Sequence, residues 1–417
     1  MNDALISPSR SMILKGDRMA GDQPVRHAVR IPRGTCKLFG AVKALGTIKN
    51  SAILVHGPKG CVYHINYILG MRGDRPSEIY STCLDERDVI FGAEEKLRGA
   101  IEDLDRTLRP ELIFVLSCCA SGIIGEDTDS AVRNAKTSCR LIAISAGGFE
   151  GDFRDGYSDT LRQLVQDLVR KTTTAEPRTV NLIGMLRAGP DLAELRRILG
   201  MIGVKVNAVL TADAAREEIE RAGAAALNIV VCEPSGKEAA ELLQATCGTP
   251  YIIEEIPIGY RSTTRFLERV AENLGVPAPA APPDDQDGVA DDSPLRQRHI
   301  AIVSGPTRAV SMTRFLAESG IFPRLVVVDF DGSVQEKIRS ILPLSCEVLI
   351  EPEHDRIVQK LREHNIDLLI GGMLEMPIAK ALGIEHLDIM HGSQRTVGFA
   401  GAQNLTRLLC GKDRDER

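Results

Sequence analysis

The chain has no tryptophan, and aromatic residues make up only 4% of its 417 positions. Single-stranded nucleic acid is held by aromatic faces that stack bases and by a basic groove along the backbone. Both are short here, since the formal net charge is −6, and nucleic acid is not an expected partner. Long apolar runs are missing too. No stretch approaches the roughly 20 residues needed to span a bilayer, so no membrane segment is expected. A phosphate cradle is also absent. Ser235-Gly236-Lys237 has the end of a P-loop, but Glu238 stands where a hydroxyl residue should follow the lysine, and position 231 is Val rather than Gly. The chain is not expected to hydrolyse ATP itself.

What is present belongs to a globular protein: 43% hydrophobic and 26% charged residues. The length calls for more than one core. Residues 1–25 mix charge, Gly and Pro around one short apolar patch, Met12-Ile13-Leu14, and resemble neither a signal peptide nor a strong helix. We read them as an N-terminal arm. Residues 277–297, rich in Pro, Ala and Asp without apolar periodicity, read as a linker. A weaker boundary near Lys171–Arg178 leaves blocks at 26–175, 176–276 and 298–417. In each, short β-branched runs alternate with amphipathic stretches, as in Ser51–His56, Leu112–Leu116, Thr179–Ile183, Leu227–Val231, His299–Val303 and Leu325–Val328. Continuous apolar strands separated by helices predict buried parallel sheets. The fold class is therefore α/β, with three Rossmann-like domains whose parallel sheets are flanked by helices. Ligands of such sheets gather beyond the C-terminal ends of the strands.

Ten cysteines in a chain without an export signal argue for a cytoplasmic protein with buried thiols or metal ligands rather than a disulfide framework. Cys61, Cys118, Cys119 and Cys232 each follow a predicted strand at or near a helix start, and Cys36 lies in a turn before the helical pattern Leu38–Ile48. Thiolates are favoured at helix N-termini, where free N–H groups also suit cluster sulfides. Buried, unreactive thiols remain the alternative for each. Three well-spaced cysteines in one block fall short of a four-thiolate 4Fe–4S site; a site shared across a subunit interface, or a carboxylate ligand, would complete it. Adjacent strand residues point to opposite faces, so Cys118 is expected to point away from a site that takes Cys119. Cys83, among acidic neighbours, reads either as a fourth ligand or as a plain thiol. Cys139, Cys247, Cys346 and Cys410 read as structural. His391, after Leu387–Met390, is either a metal ligand through a neutral nitrogen or a satisfied surface histidine.

Four segments, Cys36-Lys-Leu-Phe-Gly-Ala41, Val55-His-Gly-Pro-Lys-Gly-Cys61, Asp85-Glu-Arg-Asp-Val-Ile-Phe-Gly92 and Cys119-Ala-Ser-Gly-Ile-Ile-Gly-Glu-Asp127, occur in an order and spacing that resemble the nitrogenase component 1 superfamily. Gly148-Phe-Glu-Gly151 has a counterpart there as well, and the resemblance runs from about Cys36 to Leu409. It implies that Cys36, Cys61 and Cys119 hold an electron-relay cluster at a subunit interface, either 4Fe–4S or P-cluster-like. Asn228–Cys232 and Met390–Ser393 are similar to the segments that ligate a larger iron–sulfur metallocluster at the active site, which implies Cys232 and His391 as its ligands. The implied partners are an ATP-hydrolysing iron protein, a homologous or identical second subunit, and a small-molecule substrate. Two departures count against dinitrogen. Gly156-Tyr157-Ser158 stands where the dinitrogen-reducing enzyme carries a histidine, and Gly372–Met376 has no lysine to clamp an organic acid. Among the relatives, the methylthio-alkane reductase type matches best, with a cofactor-assembly scaffold and a tetrapyrrole reductase or reductive cyclase component as alternatives. Tyr157 and Arg395 are the candidate proton donors.

Overall fold

The computed structural model describes residues 35–71, 78–172, 174–278, 293–390 and 394–410. The arm read over 1–25 and the candidate ligand His391 lie outside the described residues. The apolar runs become strands in three all-parallel sheets. The first contains β1 (Ser51–His56), β2 (Ile79–Ser81), β3 (Leu112–Ser117) and β4 (Arg140–Ile144), in the order β2-β1-β3-β4. Register pairs Leu54 with Tyr80 on one side and Val115 on the other. The second contains β5 (Glu176–Met185), β6 (Lys205–Thr211), β7 (Ala225–Val230) and β8 (Tyr251–Ile253), ordered β6-β5-β7-β8. The third runs β11-β10-β9-β12-β13, with β9 (Ile300–Ser304), β10 (Leu325–Val328), β11 (Glu347–Ile350), β12 (Leu368–Gly371) and β13 (Glu385–Asp388). The central strands are buried along most of their length, as helices on both faces require.

Strand order fixes where crevices open. In each sheet the winding reverses between two central neighbours: β1 and β3, β5 and β7, β9 and β12. Beyond the C-terminal ends of those pairs the crossover helices diverge, leaving room for a ligand.

The three sheets share cores. Phe39, Leu45, Tyr157 and Leu161 of the first unit cluster with Ile183, Val230 and Leu243 of the second. Leu195 and Ile229 of the second cluster with Ile302, Val328 and Phe399. The end of the predicted linker belongs to this packing, because Leu295, in the short helix Pro294–Gln297, is buried in that core. Composition alone hid the anchor, since one apolar residue among Pro, Asp and Arg gives no periodicity. No helix among the described residues is long and apolar enough to cross a membrane.

The helix Lys37–Leu45 lies against the helix Phe153–Leu168 with backbones in contact at two glycines. A Cβ on Gly156 would lie 1.9 Å from the Lys37 carbonyl oxygen, and one on Gly40 would lie 2.0 Å from that of Phe153. Since the obstacles are backbone atoms, the helices themselves would have to part. Gly156→Ala is expected to cost about 1–3 kcal/mol, the range for overpacking a tight core. A lowered thermal midpoint and a reduced folded yield check this; an unchanged midpoint would show that the helices can slide.

Candidate functional site

Cys61 and Cys119 leave the first sheet at its point of reversal. β1 ends at His56 and the chain passes through Gly57–Gly60 to put Cys61 in the first turn of the helix Lys59–Met71. β3 ends at Ser117, Cys118 caps the short helix Cys119–Ile123, and Cys119 is its first residue. Cys36 arrives from elsewhere as the exposed N-cap of the helix Lys37–Leu45, tied by an antiparallel bridge to Asp152. Gly148 lies between Cys36 and Cys119. Its N–H donates to the Cys119 Sγ at 3.0 Å, and a Cβ there would sit 3.0 Å from that sulfur and 3.2 Å from the Cys36 Cβ. Gly148 therefore makes room for both cysteines through its lack of a side chain.

Cys118 departs from the strand-alternation expectation. It is buried, but its sulfur is hydrogen-bonded to Cys61 rather than turned away. The two adjacent cysteines lie past the end of β3, at an N-cap and a first helical position, where strand alternation no longer applies. The contact holds the Cys61 thiol above its ordinary range, with burial adding to the effect. Cys118, hydrogen-bonded by Cys61 and by the N–H groups of Ser121 and Ala120, is pushed down to about 6. Cys36, Cys118 and Cys119 all act electrostatically on Cys61.

Among the described residues, no three His, Cys, Asp or Glu side chains are close enough to hold one metal ion. In an iron–sulfur cluster each iron takes its own thiolate, so the ligating sulfurs need not converge on one atom. An N–H pointing at Cys119 and a helix start under Cys118 fit that use. The helix of Cys61 exposes Tyr63 and that of Cys119 exposes Ile123; Phe149, next to Gly148, is 80% exposed, and Ile90 and Phe91 (84%) of the helix Glu86–Phe91 are exposed as well. Such a face is suited to being covered by another protein. Cys83 lies exposed beyond β2, its carbonyl accepting a hydrogen bond from Lys96 at 3.0 Å.

Cys232 occupies the equivalent position in the second sheet. It follows β7 and caps the helix Glu233–Cys247, and it is 3% exposed. Its thiol donates to the Ser235 hydroxyl at 3.3 Å and is also hydrogen-bonded with Thr307, which follows β9. Burial pushes the thiol up. The Ser235 backbone N–H also points at this sulfur, which would favour a thiolate were a metal to displace its proton. A cleft of about 200 Å³ flanks Cys232, with Val231, Glu233 and Thr307 among its walls, and opens between the second and third sheets.

The two candidate proton donors lie in unlike places. Tyr157 is buried in the core with its hydroxyl donating to the Met185 carbonyl at 3.4 Å, and burial raises its pKa. That position suits packing better than proton delivery. Arg395 is exposed, and its carbonyl accepts from Asn404 at 2.9 Å. At the lysine-free segment Gly372–Met376, Glu375 is buried and accepts from the Gly372 N–H at 2.8 Å.

Sequence reasoning missed a buried ionic junction. Asp191 is wholly buried in the helix Pro190–Met201 and pairs with both Arg308, at 2.8 Å, and Arg187. Its other oxygen accepts the N–H groups of Thr396 and Val397 at 2.7 and 3.2 Å. Arg308 also donates to the Ile389 carbonyl at 3.2 Å, and Arg187 to that of Gln394 at 3.1 Å. The chain is thus held on both sides of positions 391–393. Gly189-Pro190-Asp191, a turn leading into a helix, was the available signal, but an acid at a helix start reads first as a surface charge.

Three parallel sheets flanked by helices, with cysteines just past two points of reversal, define a three-sheet α/β scaffold. Residues 36–412 match the family model of nitrogenase component 1 type oxidoreductases, and the chain belongs to that family. It is 29% identical over 400 residues to the nitrogenase iron-molybdenum cofactor biosynthesis protein NifE of Clostridium pasteurianum, covering 91% of this chain and 87% of that protein. It is 27% identical over 434 residues to the nitrogenase molybdenum-iron protein beta chain of Methanothermobacter thermautotrophicus, covering 92% and 94%. The solved structure of nitrogenase Cp1 at pH 6.5 superposes with a TM-score of 0.81 at 20% identity, covering 95% of this chain and 96% of that one, which shows the shared fold.

Burial by itself would raise the Asp191 carboxyl, but the Arg308 and Arg187 guanidiniums and the Thr396 N–H hold it down at about 2, against an ordinary 3.8. A carboxyl lowered in the folded state stabilises the fold above its unfolded value, and that stability is lost as pH falls through the folded value. Asp191→Asn leaves two guanidiniums without their carboxylate and is expected to cost about 3–5 kcal/mol near neutral pH. The deficit should shrink between about pH 4 and 2. Denaturation midpoints measured across that window check it, and a deficit independent of pH would refute the charge argument.

Proposed function

We propose that the chain is the cluster-bearing component of a nitrogenase-like reductase, working in the cytoplasm with an ATP-hydrolysing iron protein and a homologous or identical second subunit. The observation that carries this reading is the placement of cysteines at matching points of two sheets: Cys61 and Cys119, partly exposed, past the strands of the first, and the buried Cys232 past β7 of the second, beside the inter-sheet cleft. Cys36, Cys61 and Cys119 would hold an iron–sulfur cluster beneath the partner subunit, and Cys232 with His391 a larger metallocluster. Such groups supply one-electron transfer and the storage of several reducing equivalents.

The residues around them have the complementary tasks. Gly148 offers an N–H to the Cys119 sulfur. Ser235 and Thr307 fix the direction of the Cys232 sulfur. The shared core gives the cleft apolar walls, among them Val231, Phe266 and Val310. For substrate we propose a methylthio-alkane, cleaved reductively at its C–S bond so that two electrons and two protons yield an alkane and a thiol. The missing histidine at Gly156–Ser158 and the buried Glu375 in the lysine-free segment support a substrate other than dinitrogen.

A second reading, a cofactor-assembly scaffold, is favoured by the 29% identity to NifE across most of both chains. Cys232→Ala separates a cluster ligand from a core thiol. It is expected to remove the iron bound in the crevice while leaving the electron paramagnetic resonance (EPR) signal of the interfacial cluster, and full retention of iron would rule the ligand role out. His391→Ala is expected to abolish reduction of a methylthio-alkane while the iron protein still docks and hydrolyses ATP. Wild-type protein that turns over no such substrate but passes its cluster to an apo-protein would establish the scaffold reading instead.

A further inference from the structure

A four-iron cluster of the cubane type takes one sulfur for each iron. The thiols of Cys36, Cys61 and Cys119 leave one iron without a ligand from this chain. A fourth sulfur is already in the group: Cys118 is in hydrogen-bond contact with Cys61. Its place is built rather than incidental. A Cβ on Gly57 would lie 2.4 Å from the Cys118 Sγ, so the loop leading to Cys61 has space for this sulfur only because residue 57 lacks a side chain. The N–H groups of Ala120 and Ser121 point at the same atom, and Gly148 points its own at Cys119. Donated N–H groups of this kind stabilise ligating thiolates.

We propose that Cys118 is a fourth sulfur ligand, so that Cys36, Cys61, Cys118 and Cys119 give one chain a complete thiolate set for a 4Fe–4S cluster. This rests on the reading that Cys36, Cys61 and Cys119 bind iron. Each thiol gives up its proton as its Fe–S bond forms. The Cys61 and Cys118 thiols act on each other in this structure, so Cys61 turns outward to serve a separate iron. Its place in a first helical turn allows this, and the neighbouring Gly60 has open space around it, with nothing within 4 Å of an added Cβ. On this account a second subunit covers the cluster without having to supply its last ligand.

The experiment uses the full chain on its own, reconstituted anaerobically with ferrous iron and sulfide. The monomer is isolated by size exclusion, and its iron and sulfide content is measured together with its EPR spectra in the oxidised state, where a three-iron cluster gives its signal, and after dithionite reduction, where a four-iron cluster does. The wild type is expected to hold a full 4Fe–4S complement per monomer. Cys118→Ala should lose about one iron in four, with a three-iron EPR signal, or lose the cluster altogether. Cys118→Ser, which keeps the size and offers an oxygen ligand, should retain more iron than Cys118→Ala with an altered spectrum. Circular dichroism and thermal midpoints matching the wild type show that the variants fold. If Cys118→Ala keeps wild-type iron and spectrum while Cys36→Ala loses the cluster, Cys118 is no ligand and the three-cysteine reading stands. A Cys118→Ser spectrum identical to the wild type also overturns the proposal. If the wild type takes up no cluster, the three-cysteine reading falls with it.

Discussion

The carboxylate of Asp191 has no access to water and answers two guanidiniums and two backbone N–H groups at once. Those partners come from three parts of the chain: the turn after β5, the helix Pro306–Glu318 after β9, and the segment that follows β13. A buried carboxylate with one missing partner would be strongly destabilising, whereas a complete set fixes geometry at modest net cost. The second and third units are therefore held in one orientation by charge as well as by their common apolar core. Because Arg308 and Arg187 also bind the carbonyls of Ile389 and Gln394, the same carboxylate sets where the chain enters and leaves positions 391–393.

Topology and sterics together account for the sulfur sites. Strand order in a parallel sheet opens a crevice where winding reverses, and the first residues past the strands face into it. Cys61 and Cys119 in the first sheet, and Cys232 in the second, take those positions. Three glycines then let the backbone come close enough: Gly57 under Cys118, Gly148 between Cys36 and Cys119, and Gly184 against Cys232, where a Cβ would lie 3.0 Å from the Cys232 carbonyl oxygen. In each case the residue that shapes the site is the one with no side chain to show in a composition.

Much of this was legible from sequence, for definite reasons. The central strands announced themselves because strands buried on both faces must be apolar throughout, and the positions of Cys61, Cys119 and Cys232 just past strand ends could be read from the ends of those runs. The strands that escaped notice, β2, β8 and β13, are edge strands of three or four residues with largely half-buried side chains, so neither an apolar run nor alternation marks them. The Cys118 orientation was misjudged because strand periodicity was carried one residue too far, past Ser117 and into a helix cap. The Asp191 junction was out of reach of sequence reasoning because its partners Arg308 and Thr396 are 117 and 205 positions away.

The same junction bears on whether a metallocluster held by Cys232, as proposed, would be kept or handed on. Cys232 belongs to the second unit and its partner Thr307 to the third, so a group bound there would be contacted from both. Releasing it by parting those units would expose the core that joins Leu195 and Ile229 to Ile302, Val328 and Phe399, and would strip Asp191 from Arg308. Uncovering large apolar side chains costs roughly 1.5–3 kcal/mol each, and breaking a buried ion pair adds several more. A carrier that must discharge its cargo repeatedly would work against that barrier at every cycle unless the cargo leaves by another route. A catalyst that holds its cluster through many turnovers gains from it. The architecture on the Cys232 side therefore favours retention. A scaffold would need another exit, and the chain at Ile389 and Gln394 is itself secured by Asp191 and its arginines.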